Sequence, residues 1–450
     1  MKKKNHLLEG SVLKSIFLIS TPIILSNILQ TIYQFIDTFW VGRLGEDAVA
    51  AVSLGFPIMF FLHSIVIGFT TGGSILISQY NGRKDYEKTA LLAGQTLTFV
   101  GISSIILSVF GYFTANFFLS YLTEAPYVLS EATKYLQISF LGMTALFTYT
   151  VFQSSLQSIG EMKVPMAIVL FTVILNFFLD PILMFGWWKI PAMGVEGVAI
   201  ATFITESLSG ILGLMVLFFC KYNVKLSLKS MIPNPEWIKK IFKLGLPTSL
   251  EMSSRSFGMF LMMFIVSTFG TTATAAYGIG TKILGFIIIP AIGFSIATST
   301  LIGNNIGARQ HKRAEEISIT AIKVGFFTLF TIGILIFISA EKISTFFVPN
   351  EPELIKIASL FIKIISTGFG LIGIQMVIGG TLKGAGKTKT SMFLTMGQTF
   401  TLFVSAYILA VIFKLNEFGI WLAYPIANIL ITCLEFYLYK QKSWLKKEIK

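Results

Sequence analysis

Residues 21–37 read Thr21-Pro-Ile-Ile-Leu-Ser-Asn-Ile-Leu-Gln-Thr-Ile-Tyr-Gln-Phe-Ile-Asp37. Wound as an α-helix, Ser20, Asn27, Gln30, Gln34 and Asp37 fall within about a third of the circumference. The opposite side is Ile, Leu and Phe. A segment apolar enough to cross a bilayer but carrying one polar stripe faces lipid on one side and something wet on the other. Pro22, near the start, removes a backbone donor and permits a bend, so it is the candidate hinge of this helix.

The rest of the chain has the same character. Of its 450 residues 54% are hydrophobic and 13% charged, where a soluble domain carries about 25% charged residues. Apolar runs of spanning length recur from end to end, as expected of an all-α polytopic membrane protein. The runs are continuous rather than alternating, which excludes a membrane barrel. The opening Met1-Lys-Lys-Lys4 precedes a run too long for a signal peptide and without a cleavage site, so a first span is expected there. Cys220 and Cys433 lack metal-ligand spacing, and with three histidines in the whole chain no cofactor is expected.

Hydropathy and turn signals predict twelve spans, from 13–40 to 417–438. Base-rich connections alternate with base-poor ones. Lys2–Lys4, Arg83, Lys84, Lys88, Lys163, the group from Lys221 to Lys243, Arg309, Lys312, Arg313, Lys383, Lys387, Lys389 and the Lys440–Lys450 tail fall on one side. Asp47, Glu124, Glu351 and Glu353 fall on the other. The positive-inside rule then puts both termini in the cytoplasm. The net charge of +13 is accounted for by this topology, and no nucleic-acid surface is expected.

The hydrophilic interruption around Pro233-Asn-Pro235 divides the chain in two. Shifting the sequence by 225 residues places Pro22 on Pro247, Gly45 on Gly270, Ala50-Ala51 on Ala275-Ala276, Gly68-Phe69 on Gly293-Phe294 and Gly82 on Gly307, without a gap. Two six-helix lobes are expected, related by a pseudo-twofold axis along the membrane normal, with a central cavity between them. Their expected limits are 1–219 for the first lobe, 220–243 for a cytoplasmic linker, 244–438 for the second lobe and 439–450 for a basic tail.

Further along, Leu156, Gly160 and Lys163 match Leu382, Gly386 and Lys389 at a shift of 226. The repeat also serves as a control. A residue needed only to build a lobe should occur in both copies, yet Asp37 aligns with Met262 and, at the later shift, Asp180 with Ala406. Glu251 and Arg255 align with Ser26 and Gln30. Charges inside spans cost a few kcal/mol each on insertion scales, so these four call for a reason beyond architecture. Thr172, Asn176 and Asp180 share one helix face at i, i+4, i+8. Asp37 and Asp180 are expected to share a pocket with Asn176 and with Thr202 or Thr205. The competing reading makes Asp180 a hydrogen-bonded packing residue and Asp37 an interfacial cap. Glu251 and Arg255, at i and i+4, read first as a self-neutralising pair and second as lining of the other lobe's cavity. Gln30, Gln34, Glu206, Glu251, Arg255 and Met259 are the candidate cavity residues, Met259 belonging to a methionine-rich wall able to adapt to varied ligands. Gly384-Ala-Gly-Lys-Thr388 is not a phosphate loop, because Thr381 stands where the pattern needs glycine.

Pro22, Asp37, Gly42-Arg-Leu-Gly45, Gly82-Arg-Lys84, Leu156-Gln-Ser-Ile-Gly-Glu-Met-Lys163, Asn176…Asp180-Pro181, Gly245-Leu-Pro247…Glu251 and Leu382-Lys-Gly-Ala-Gly-Lys387 together resemble the multidrug and toxic compound extrusion (MATE) family of the MOP superfamily. The likeness is greatest to its DNA-damage-inducible prokaryotic branch and covers essentially the whole chain. It implies a secondary active efflux transporter of the prokaryotic inner membrane, exporting small organic, often cationic, compounds in antiport with H⁺ or Na⁺. It implies a coupling-cation site at Asp37, Asp180, Asn176, Thr202 and Tyr135, with Na⁺ taken by the first four if it is the coupling ion, and bending at Pro22. An acidic residue typical of another branch is replaced near Arg255, which argues against a second-lobe cation site of that kind. Nothing in the sequence requires a partner, so a working monomer in the lipid bilayer is expected. Two other functions compete: a flippase for lipid-linked oligosaccharides, which needs several buried bases, and an intramembrane enzyme, which needs clustered nucleophiles or metal ligands.

Overall fold

The structure, a computed structural model, describes residues 6–445. The expected flanking bases Lys2, Lys3, Lys4, Lys446, Lys447 and Lys450 lie outside the described residues. Backbone polar groups inside a bilayer must find partners within the chain, and a helix supplies them locally. Thirteen α-helices result among the described residues, with a short 3-10 turn at Leu228–Met231 and a π turn at Ile408–Ile412. The first six are α1 (Val12–Val41), α2 (Glu46–Gly82), α3 (Tyr86–Ser120), α4 (Pro126–Ser158), α5 (Lys163–Phe185) and α6 (Gly194–Phe219). They are followed by α7 (Pro235–Ser267), α8 (Thr271–Gly307), α9 (His311–Phe347), α10 (Pro352–Ser366), α11 (Phe369–Gly384), α12 (Thr388–Tyr407) and α13 (Asn416–Lys440). Ten are long and apolar enough to span, and α10 with α11, bent by 49° at their junction, make an eleventh. The expected span at 355–382 is therefore bent rather than continuous. Helix α7 has the length, at 33 residues, but Glu251, Arg255 and its serines lower its mean hydropathy below that of the others.

The repeat is written into the backbone. Helices α2 and α8 both have 37 residues and occupy equivalent positions. Left-handed residues recur in register: Gly45 and Gly270 (φ 113° and 100°), Lys84 and Arg309 (61° and 59°), Gly160 and Gly386 (80° and 74°). Helices α4 and α10 each open with proline in the first turn, where its missing N–H costs nothing.

Two compact units divide the chain, one comprising Leu25–Ser249 and the other Met1–Ile24 with Leu250–Lys450. We call them the first and second lobes. These limits differ from those expected, because α1 and α7 each change lobe partway along. The changeover comes at repeat-equivalent positions, two residues beyond Pro22 and Pro247, which interrupt the hydrogen-bond ladders of the two helices. Before it, Phe17 of α1 meets Phe294 edge-on at 6.2 Å, within the second lobe. In α7, Phe242 stacks on Phe69 at 5.5 Å and Ser249 Oγ donates to the Ile65 carbonyl at 2.8 Å, within the first.

The expected linker 220–243 is helical from Pro235 onward. Asn234 Oδ1 accepts from the Glu236 and Trp237 amides and starts α7. The irregular part is pinned to α3: Gln95 Nε2 donates to the Ser230 and Ile232 carbonyls, and Gln95 Oε1 accepts from the Asn234 amide at 2.7 Å. The second lobe has an aromatic centre in which Phe361 packs 4.1 Å from Trp421 between ring centroids. Phe113, Phe327 and Phe400, by contrast, project from the protein, as residues facing acyl chains do.

Candidate functional site

Within the first lobe, α1, α4, α5 and α6 bring polar groups to one place. Asp180 and Asn176 are one turn apart on α5 and both fully buried. Asn176 Nδ2 donates to Asp180 Oδ1 at 3.0 Å. Asp37, three turns past the α1 changeover, faces Asp180, Asn176 and Glu206. Tyr135 of α4 faces Asp37, Glu206 and Asp180. The Tyr33 hydroxyl, one turn before Asp37, is 2.9 Å from Thr205 Oγ1. Sequence reasoning passed over Tyr33, although its i, i+4 relation to Asp37 was visible.

What distinguishes the cluster is what it leaves unpaired. Asp37 Oδ1, Asp180 Oδ2, Asn176 Oδ1 and Thr202 Oγ1 are buried without a well-formed hydrogen bond, although Asp37 stands within reach of Asp180 and Asn176, and Tyr33 within reach of Thr202. A buried polar atom left unsatisfied costs roughly 1–3 kcal/mol, more for a charged one. Four such oxygens on neighbouring helices are a poor packing solution. Among the described residues none of the carboxylates Asp37, Asp180 and Glu206 has an ion-pair partner. The donors are all oxygen, which suits a proton or a hard cation such as Na⁺. The other candidates on α1 stand apart: Gln30 and Gln34 are exposed, and Pro22 belongs to the second lobe.

The second lobe holds a cavity of about 240 Å³, lined by parts of α7, α8, α11, α12 and α13. Glu251 and Arg255 line it, but their relation differs from the expected pair. Arg255 Nη2 stands 3.6 Å from Glu251 Oε1, whereas Lys383 Nζ of α11 approaches that oxygen to 2.8 Å. Ser391 Oγ donates to the other Glu251 oxygen at 3.0 Å. Lys383, read from sequence as a connecting-loop base, is thus a partner inside the lobe. Gln398 Nε2 donates to Gln375 Oε1 and Asn428 Oδ1 at 2.9 and 3.0 Å, a fixed polar floor that sequence reasoning missed. Met259, 61% exposed, lies on the cavity wall with Met262 and Met376. Glu435 of α13, 6% exposed, also faces the cavity and was not anticipated. A carboxylate far inside the last apolar helix, beyond Glu417 in its first turn, was the available signal.

Comparison with known proteins gives consistent matches. The model of the MatE family matches residues 22–182 and 247–408, one match in each half of the chain. The chain is 31% identical to a probable multidrug resistance protein, YoeA, of Bacillus subtilis (strain 168), covering 98% of this chain and 96% of that one. It is 26% identical to a probable multidrug resistance protein, NorM, of Thermotoga maritima, over 99% and 97% of the two chains. Among solved structures, an outward-facing multidrug resistance MATE family transporter of the MOP superfamily superposes with a TM-score of 0.90. That pair is 25% identical over 100% of both chains.

Proposed function

Because this chain belongs to the MatE family, and so is a multi-pass membrane transporter rather than an enzyme, we propose that it exports organic, often cationic, compounds in exchange for H⁺ or Na⁺. Asp37, Asp180, Asn176, Thr202 and Tyr135 form the coupling site in this reading. The observation that carries it is the set of four buried oxygens on α1, α5 and α6 that lack a well-formed hydrogen bond. An incoming cation satisfies them and cancels charge that the lobe otherwise keeps out of water. Occupancy then changes how firmly the later half of α1 is held against α5 and α6. If solute and cation favour opposite conformations, loading one expels the other. Pro22, two residues before α1 changes lobe, is the place where that helix bends with least loss of hydrogen bonding. Each polar site is completed by residues of a single lobe, which supports a working monomer. The base-rich connections support cytoplasmic termini.

The test is efflux from proteoliposomes under an imposed pH or Na⁺ gradient, with the gradient that drives export naming the ion. Asp37→Asn and Asp180→Asn should each abolish gradient-driven efflux while leaving elution profile and melting unchanged. Undiminished efflux by both variants ends the proposal.

A further inference from the structure

The cavity of the second lobe carries charges of both signs, and they are not used up on each other. Glu251 takes its close hydrogen bonds from Lys383 and Ser391, with Arg255 farther off at 3.6 Å. Arg255 is therefore a surplus cation. Its guanidinium has the 3.6 Å contact to Glu251, one 3.4 Å contact from Nη1 to the weak acceptor Met376 Sδ, and a buried Nε with no partner. A guanidinium offers five donors in a fork that fits a carboxylate in two-point contact. Glu435 is the matching acidic group, since its Oε2 is buried and unpartnered and it lies in the electrostatic range of Arg255. Among the described residues the two form no ion pair, so a gap separates them. Tyr277, Tyr424 and Met376 supply flat and adaptable surface in the same cavity.

We propose that this cavity binds organic zwitterions, with Arg255 taking the anionic end, Glu435 the cationic end and the aromatic wall the body between them. The inference rests on the transporter reading for its purpose but not for its test.

The test is equilibrium binding to the full chain in lipid nanodiscs, read by fluorescence anisotropy with no ion gradient. The probes are rhodamine 110, which carries a carboxylate beside its delocalised cation, and rhodamine 123, its methyl ester, which carries the cation alone. The wild type should bind rhodamine 110 about tenfold more tightly, the scale of one charge-assisted forked contact. Arg255→Gln should erase that preference while changing rhodamine 123 by less than about threefold, and Arg255→Lys, which keeps charge but not the fork, should restore part of it. Glu435→Gln should weaken both dyes. Equal affinity of the wild type for the two dyes overturns the proposal, and that measurement needs no variant to fold. Parallel loss of both dyes in Arg255→Gln overturns it too, by showing a merely structural role. Failure of cation coupling would appear instead in the Asp37 and Asp180 efflux assay and leave these affinities untouched.

Discussion

Removing Lys383 should expose how strongly the second lobe depends on an ion pair its sequence conceals. In Lys383→Met the Glu251 carboxylate, only 2% exposed, keeps Ser391 at 3.0 Å and Arg255 at 3.6 Å but loses its one close cation. Breaking a buried pair from one side typically costs about 3–5 kcal/mol, because a charge is left in low dielectric without a partner. Lys383 is 17% exposed and Arg255 remains nearby, so the low end applies, about 3 kcal/mol. Glu251→Gln in the Lys383→Met background removes the stranded charge while keeping a group able to bond Ser391. Arg255, with a third of its side chain uncovered, then finds water. The double variant should fall within about 1 kcal/mol of wild type, since replacing both members of a buried pair is often near neutral. Equilibrium unfolding in mixed detergent, supported by tryptophan-fluorescence melting, measures wild type, Lys383→Met, Glu251→Gln and the double variant. The cycle should show a coupling of about 2 kcal/mol, well above the roughly 0.5 kcal/mol scatter of independent sites. If Lys383→Met is as stable as wild type, or the double variant is worse than the sum of its parts, Lys383 is not the partner that holds Glu251.

Two further outcomes follow from the fold. A Cβ on Gly72 would lie 2.6 Å from the Ile241 carbonyl oxygen and 2.8 Å from the Gly245 nitrogen, both backbone atoms of α7. Gly72→Ala should therefore cost about 1–3 kcal/mol by overpacking, whereas Gly285→Ala, with no heavy atom within 4 Å, should leave melting unchanged or raised; equal melting of the two variants refutes the close crossing. Cys220 is free and exposed just past α6, so in a Cys433→Ser background a membrane-impermeant maleimide should label it only after cells are opened. Labelling of intact cells would reverse the assigned orientation.

Much of the architecture was legible because a bilayer imposes a length and a polarity on every helix and the chain repeats itself. Those two constraints yield the helices, their order and the register that reappears in the Gly45/Gly270 and Lys84/Arg309 dihedrals. Asp37 and Asp180 stood out for the same reason, since the second copy has Met262 and Ala406 in their places. Contacts between distant helices carry no such period. Lys383 sits near a span end, where lysine normally reaches for water, and only the packing of α11 against its own lobe reveals that it turns to Glu251. The start of α7 had a local signal in Asn234-Pro235, but the surrounding bases favoured a linker. The lobe change within α1 and α7 was marked by Pro22 and Pro247, yet a proline shows where a helix can yield and not which neighbours it serves on either side.

The repeat also argues that the two polar sites do different work. Aligning Gly197 with Gly419, each pressed on the backbone of the preceding helix, sets Glu206 against Asn428 and Glu435 against Gly213. The 226-residue register that pairs Gly160 with Gly386 sets Lys383 against Gln157. Every charge in either cluster thus faces a neutral residue in the other copy. Shared architecture requires none of them, and retaining an unshared charge inside a span is costly. The first lobe keeps three carboxylates and no pairing base, an arrangement that discriminates by sign and little else. The second keeps two acids and two bases around an aromatic wall, which discriminates by the shape and separation of charges. On one fold, sign selection is what the proposed exchange of an inorganic cation demands, and charge geometry is what the proposed organic solute presents.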